Sequence, residues 1–214
     1  MINLSIESSS TVILAIPTKD NRAIIRTVVE LLRISDEVGK ALAVVVGEGS
    51  NIPRSRNSIV RRISQQMPGV KDTRVLWVDS DIVLPKGAAV LIGDAIRWAD
   101  ANATNITANY LMANGANSLL VNRDAGDARH YADTEIEAMR NYAEIGMADF
   151  GFLYIHQPLN YVFHAGLLGE DINFWLDNPD VAVRLAKQIP IGHSKETVLW
   201  NQAFHPGGQA ASHA

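Results

Sequence analysis

The chain of 214 residues is long enough to bury one α/β core, and its 47% hydrophobic and 20% charged content is ordinary for a globular domain. A net charge of −4 argues against a general nucleic-acid binder, and the absence of cysteine excludes disulfides, thiolate metal sites and a cysteine nucleophile. No apolar stretch approaches the roughly 18–20 residues of a membrane span. Residues 1–7 lack the basic start and long apolar core of a signal peptide, so a cytoplasmic location is expected.

Residues 11–17, TVILAIP, read as a β-branched first strand stopped by Pro17, with Thr18, Lys19, Asp20 and Asn21 as loop and helix cap. From Arg22 to Val38, apolar residues at Ile24, Val28 and Leu32, with Ile25 and Val29 beside them, predict one face of an amphipathic helix that ends near Gly39. Residues 41–46 predict a second buried strand, and the glycines and proline of 47–53 a loop. A helix opening near Ser55 carries Ile59, Ile63 and Met67 on one face, with Arg54, Arg56, Arg61 and Arg62 elsewhere. Cations at a helix N-terminus oppose its dipole, so Arg54 and Arg56 hint at an anion nearby. Residues 74–85, RVLWVDSDIVLP, predict a third buried strand ending in two carboxylates one residue apart, followed by a helix to about Ala99.

Three β-then-α units imply a mostly parallel, doubly wound sheet in one domain. Beyond them the pattern predicts strands at 105–112 and 118–121, with a hairpin across Asn114 and Gly115. A polar surface loop at 122–133 and a helix at 134–145 follow. Residues 149–156 predict a strand in which Gly151 permits close approach of a ligand or backbone. The remainder reads as a helix opening on Glu170 and Asp171, another over 179–187, an extended segment at 189–193 and a flexible polar tail over 201–214.

In open α/β sheets ligands gather outside the carboxyl ends of the strands, where Asp79 and Asp81 are expected. Hard carboxylate oxygens there suit Mg²⁺ or Mn²⁺ carrying a substrate phosphate, although the same residues alone also suit a turn cap. Taken in order, ILAIPT, SRNSIV, VLWVDSDIVLP, GFLYI, GEDINFW and PIGHSKE resemble the GT-A fold of nucleotide-sugar-dependent glycosyltransferases, over roughly residues 10–200.

That resemblance implies a single Rossmann-like domain over 1–200 and a metal-dependent hexosyltransferase. It would move a sugar from a nucleotide diphosphate sugar to a hydroxyl-bearing acceptor, whether glycan, protein or lipid. It assigns Asp79, Asp81 and His193 to the divalent metal, and Pro17, Thr18, Asp20, Arg56, Asp79, Ser80 and Asp81 to the nucleotide sugar. Asp171 becomes the base of an inverting reaction, with Glu170 as its acceptor-binding neighbour. Where such strands carry two glycines two apart before the aromatic, this chain has Asp149 ahead of Gly151 and Phe152, and Asp149 is a candidate hydrogen-bond partner of the sugar. Alternatives are a retaining enzyme of the same fold, a nucleotidyltransferase or a non-catalytic nucleotide-sugar binder. The nucleotidyltransferase is disfavoured because residues 16–21 lack the glycines of a phosphate loop. Neither a nucleic-acid partner nor a transmembrane segment is expected, and a homo-oligomer is compatible with the sequence.

Overall fold

A computed structural model describes residues 11–18, 23–49, 51–66, 74–111, 116–118, 120–122, 129–156, 162–164, 170–194 and 198–200. Its first strand, β1 (Thr11–Thr18), is buried along its whole length, as an eight-residue run with no charged side chain allows. It pairs in parallel with β2 (Ala41–Glu48) on one side and β3 (Arg74–Val78) on the other. Between them in sequence lie α1 (Ile25–Val38), closed by Gly39 in the left-handed conformation at φ 62°, and α2 (Ile52–Gln66). After β3 come the two-residue β4 (Ile82–Val83), α3 (Ala88–Ala101) and β5 (Asn105–Thr107).

The second half supplies β6 (Leu120–Asn122), β7 (Arg129–His130), α4 (Asp133–Ala138), β8 (Ala143–Ile145) and β9 (Met147–Ala148). It ends with β10 (Phe152–Ile155), α5 (Glu170–Asp177), β11 (Val183–Leu185), β12 (Gly192–Ser194) and β13 (Val198–Trp200). The central seven-stranded sheet has the order β2-β1-β3-β10-β5-β11-β8. Strands β1, β2, β3, β5 and β11 run one way, and β10 and β8 run against them. The fold is therefore the expected mixed α/β one, a mostly parallel sheet flanked by helices. Two three-stranded sheets, β13-β12-β4 and β7-β6-β9, complete it among the described residues.

Alternating side chains divide the core between the two faces of the sheet. Leu14, Leu76 and Phe152 pack with Leu31, Ile34, Ile92 and Ile96 on one face. On the other, Ile13, Trp77 and Leu153 pack with Ile59, Ile63, Phe174 and Trp175. No helix among the described residues is long and apolar enough to cross a membrane.

Several expectations need correction. Residues 179–187 form no helix: Val181, Val183 and Leu185 are buried and Arg184 is not, a period of two that makes β11. The helix expected over 134–145 stops at Ala138, Met139 turns extended, and Tyr142 takes φ 60° before β8 begins. Strand 105–112 shortens to β5, and residues 149–151 turn before β10. The polar loop at 122–133 contains β7, while 123–128 lie outside the described residues. So do Gly115 and Asn114 of the hairpin, Asp20 and the 201–214 tail. Strand β2 is the sheet's edge, with Val44 47% exposed.

The apolar face expected on α1 is not its inner one. Ile25 is 80% and Leu32 51% exposed, whereas Thr27 and Glu30 are buried with Leu31 and Ile34.

At the start of β3, Asp100 collects four donor side chains from separate parts of the chain. Arg74 Nε lies 2.8 Å and Tyr154 Oη 2.7 Å from Oδ1, Lys40 Nζ donates to Oδ2, and His156 Nε2 stands 3.5 Å away. Partial burial would raise the Asp100 carboxyl, but hydrogen bonds from Lys40 and Tyr154 and the charges of Lys40 and Arg74 hold it below the ordinary aspartate range. A carboxyl depressed on folding stabilises above its unfolded pKa, near 4, and loses that contribution as pH falls through the folded value. Asp100→Asn is expected to cost about 2 kcal/mol at pH 7. Urea unfolding of both proteins should show this difference shrinking below about pH 4; an unchanged gap there would exclude the ionised carboxylate as its source.

Candidate active site

At the opposite end of β3, the inner face of α2 that buries Ile59 and Ile63 also buries Arg56, which is 1% exposed. Ser55 Oγ donates to Thr18 O at 2.9 Å, which fixes the helix start against the end of β1, where Pro17 and Thr18 are themselves buried. The Arg56 guanidinium lies over Phe150 at 5.0 Å and Phe163 at 5.6 Å. Its Nη2 reaches Asp79 Oδ1 at 3.2 Å, and its Nη1 reaches Glu170 Oε1 at 3.2 Å and Asp171 Oδ1. Arg56, expected to approach the donor, is turned inward as the counter-ion of three acids. The bare pattern of arginines on α2 did not reveal this.

Backbone bonds set the neighbouring carboxylates. Asp79 N–H donates to Gly151 O at 3.0 Å, and Ile82 N–H returns to Asp79 O at 3.1 Å, folding Ser80 and Asp81 into a turn. That turn sends Asp79 toward Arg56 and Asp81 the other way, so the Asp-x-Asp pair is split. Asp81 Oδ2 stands 3.2 Å from His193 Nε2 and its side chain is 47% exposed. Strand β12 is paired to β4 through Ile82 and His193, and Ser194 N–H donates to Asp81 O at 2.9 Å.

His193 is stacked on Tyr110, centroids 5.8 Å apart, and its buried Nδ1 has no hydrogen-bond partner among the described residues. Asp149 accepts Gly151 N–H at 2.8 Å and also interacts with the Tyr110 hydroxyl. A Cβ at Gly151 would lie 2.0 Å from Tyr110 Oη, so glycine is required for this approach.

Burial is the largest influence on these acids. It pushes Asp79 up to about 7, with Arg56 opposing and the charges of Asp149 and Asp81 adding to it. Asp171 is raised well above the carboxylate range by burial, against Arg56, and further by Asp149, Glu170 and Asp79. For Arg56, burial works to lower the pKa, but Asp171, Asp79, Asp149 and Glu170 together outweigh it and the guanidinium is held still more firmly charged.

Two further residues, Asn57 and Trp175, hold the site together without a signal in the sequence. Asn57 exchanges two hydrogen bonds with the Phe163 backbone, at 2.7 and 2.8 Å, fixing one ring over Arg56. Trp175 Nε1 donates to Ala148 O at 2.6 Å and seats α5, whose first turn carries Glu170 and Asp171. Such long-range side-chain bonds have no periodicity to read.

Among the described residues no group of three or more His, Asp or Glu side chains is arranged around one point as a metal cage. Asp81 and His193 nevertheless offer a carboxylate oxygen beside an imidazole nitrogen at an accessible corner. That pair suits a divalent cation that draws its other ligands from phosphate and water.

No family model matches the sequence, and no curated protein matches it. Among solved structures, the chain is similar to a glycosyltransferase involved in the glycosylation of the major capsid of PBCV-1, with a TM-score of 0.36 and 13% identity. The similarity covers 68% of this chain and 60% of that one, so the chain spans about three-fifths of this neighbour's length.

Proposed function

We propose that the protein is a glycosyltransferase that moves a sugar from a nucleoside diphosphate donor to an acceptor hydroxyl with inversion. The observation that carries this reading is the convergence of acids from separate segments at the carboxyl end of β3. Asp79 follows β3, Asp149 precedes β10, and Glu170 and Asp171 open α5, with Arg56 between them and Asp81 beside His193 at the adjoining corner.

The arrangement divides into two functions. Asp81 and His193 would hold Mn²⁺ or Mg²⁺ at the exposed corner. A cation bound there would act as a Lewis acid for the diphosphate as negative charge develops on it. Asp171 has Oδ1 committed to Arg56, leaving Oδ2 for the acceptor. Its raised pKa makes it a stronger base than an ordinary aspartate. The acceptor oxygen bonds to the sugar's anomeric carbon while its proton passes to Asp171. The bond from that carbon to phosphate breaks, and its electron pair leaves with the nucleoside diphosphate. Asp149, fixed by Gly151 N–H, is suited to accept a hydrogen bond from a sugar hydroxyl. A glycan, protein or lipid acceptor and a cytoplasmic setting belong to the same proposal.

A panel of nucleotide sugars, incubated with Mn²⁺ or with EDTA, tests this by release of nucleoside diphosphate. Wild type is expected to consume one donor in a metal-dependent way, and Asp81→Ala to need at least about tenfold more metal. If every donor stays intact and none binds in calorimetry, the reading is wrong.

A further inference from the structure

We propose that Thr27 is a positioning residue for the Asp81–His193 corner, an inference that rests on the metal role just proposed for that corner. Helix α1 has apolar side chains enough to cover its inner face, yet it exposes Ile25 and Leu32 and buries Thr27 and Glu30. Burying a hydroxyl and a carboxylate in place of isoleucine and leucine is unfavourable unless each satisfies polar groups that would otherwise be orphaned.

Both do so, and both on the segment that follows Asp81. Thr27 Oγ1 donates to Ile82 O at 2.6 Å and accepts Leu84 N–H at 3.1 Å. Those two backbone groups are the outer edge of β4, whose other edge is paired to β12 at Ile82–His193 and Val83–Gly192. One hydroxyl thus substitutes for a neighbouring strand on a two-residue strand with no other partner on that side among the described residues. Three residues on, Glu30 Oε2 accepts Gly87 N–H at 2.9 Å and Ala89 N–H at 3.3 Å, anchoring the start of α3. The 82–89 segment is therefore fixed to α1 at both ends.

The functional consequence follows from connectivity. Asp81 immediately precedes the pinned Ile82, and His193 is held opposite Ile82 on β12. Their 3.2 Å separation therefore depends on where β4 lies. A metal corner with only two protein donors gains affinity by having them preorganised. Thr27 supplies that preorganisation through the backbone of Ile82 and Leu84.

The test compares Thr27→Val, which keeps the shape and removes both bonds, with Thr27→Ser, which keeps the hydroxyl. In Thr27→Val, amide exchange at Ile82, Leu84 and Ser194 is expected to speed at least tenfold, with Val12 to Ile16 of β1 unchanged. The Mn²⁺ concentration for half-maximal donor turnover should rise at least tenfold while kcat at saturating Mn²⁺ stays within threefold. Thr27→Ser should restore both to within twofold. Wild-type values in Thr27→Val, or exchange accelerated equally throughout the sheet, would overturn the proposal. If wild type shows no metal-dependent turnover, the glycosyltransferase reading falls, and the exchange experiment still decides whether Thr27 holds this corner.

Discussion

Arg56→Met is expected to destabilise the protein by about 3–5 kcal/mol at pH 8, the cost of breaking a buried ion pair from one side. Methionine fills similar space between Phe150 and Phe163 and keeps a favourable contact with the rings, so packing contributes little to the loss. The penalty comes from Asp79, Glu170 and Asp171, left together without a cation. Its pH dependence identifies it. A carboxyl whose folded pKa is raised favours folding while it is protonated, and that contribution is lost as pH rises through the folded value, about 7 for Asp79. Without Arg56, Asp79 and Asp171 hold their protons still more tightly, so the mutant should lose less at pH 5 than at pH 8. Denaturant unfolding at the two pH values measures this. A loss under 1 kcal/mol at pH 8 would show that the guanidinium is not the counter-ion holding the acids together.

Asp171→Asn should act in the opposite sense on stability and far more severely on turnover. If Asp171 takes the acceptor's proton, kcat falls about 10²–10⁴-fold while donor affinity stays near wild type. The substitution also removes one negative charge from a site where acids outnumber Arg56, so the melting temperature at pH 8 should hold or rise. Single-turnover assays and thermal melts on the same preparation separate the two effects. Full activity in Asp171→Asn would remove Asp171 as base and leave Glu170, or a retaining reaction, to be tried by the same assay.

The parts of this molecule that repeat were legible in the sequence, and the parts fixed by distant partners were not. The run 11–17, the helix ending at Gly39 and the run 74–78 declare themselves by apolar content and breakers, and the structure gives β1, α1 and β3. Residues 179–187 misled because Pro179 resembles a helix start and the short apolar set Val181, Val183 and Leu185 fits a strand only once its neighbours β5 and β8 are known. The acids at 79, 81, 170 and 171 could be singled out by position. That Asp79 and Asp81 turn apart, one to Arg56 and one to His193, is set by Gly151 and Ser194 backbone groups far along the chain. Thr27 and Glu30 were invisible for the same reason: their partners lie more than fifty residues away.

Strand β10 lies between β3 and β5 in the sheet, although both precede it in sequence, and Arg56 meets Asp171 across 115 residues. As the polypeptide leaves the ribosome, β1, β2, α2 and β3 are present long before the strand that must lie beside β3. Closing such long loops is slow compared with forming the early βα units. The Arg56 cluster is thus finished only after α5 has emerged, and the His193 corner only after β12. A growing chain carries Asp79 and Arg56 without Glu170 and Asp171, and Asp81 without His193, and so has no assembled site to misfire before β12 has been made.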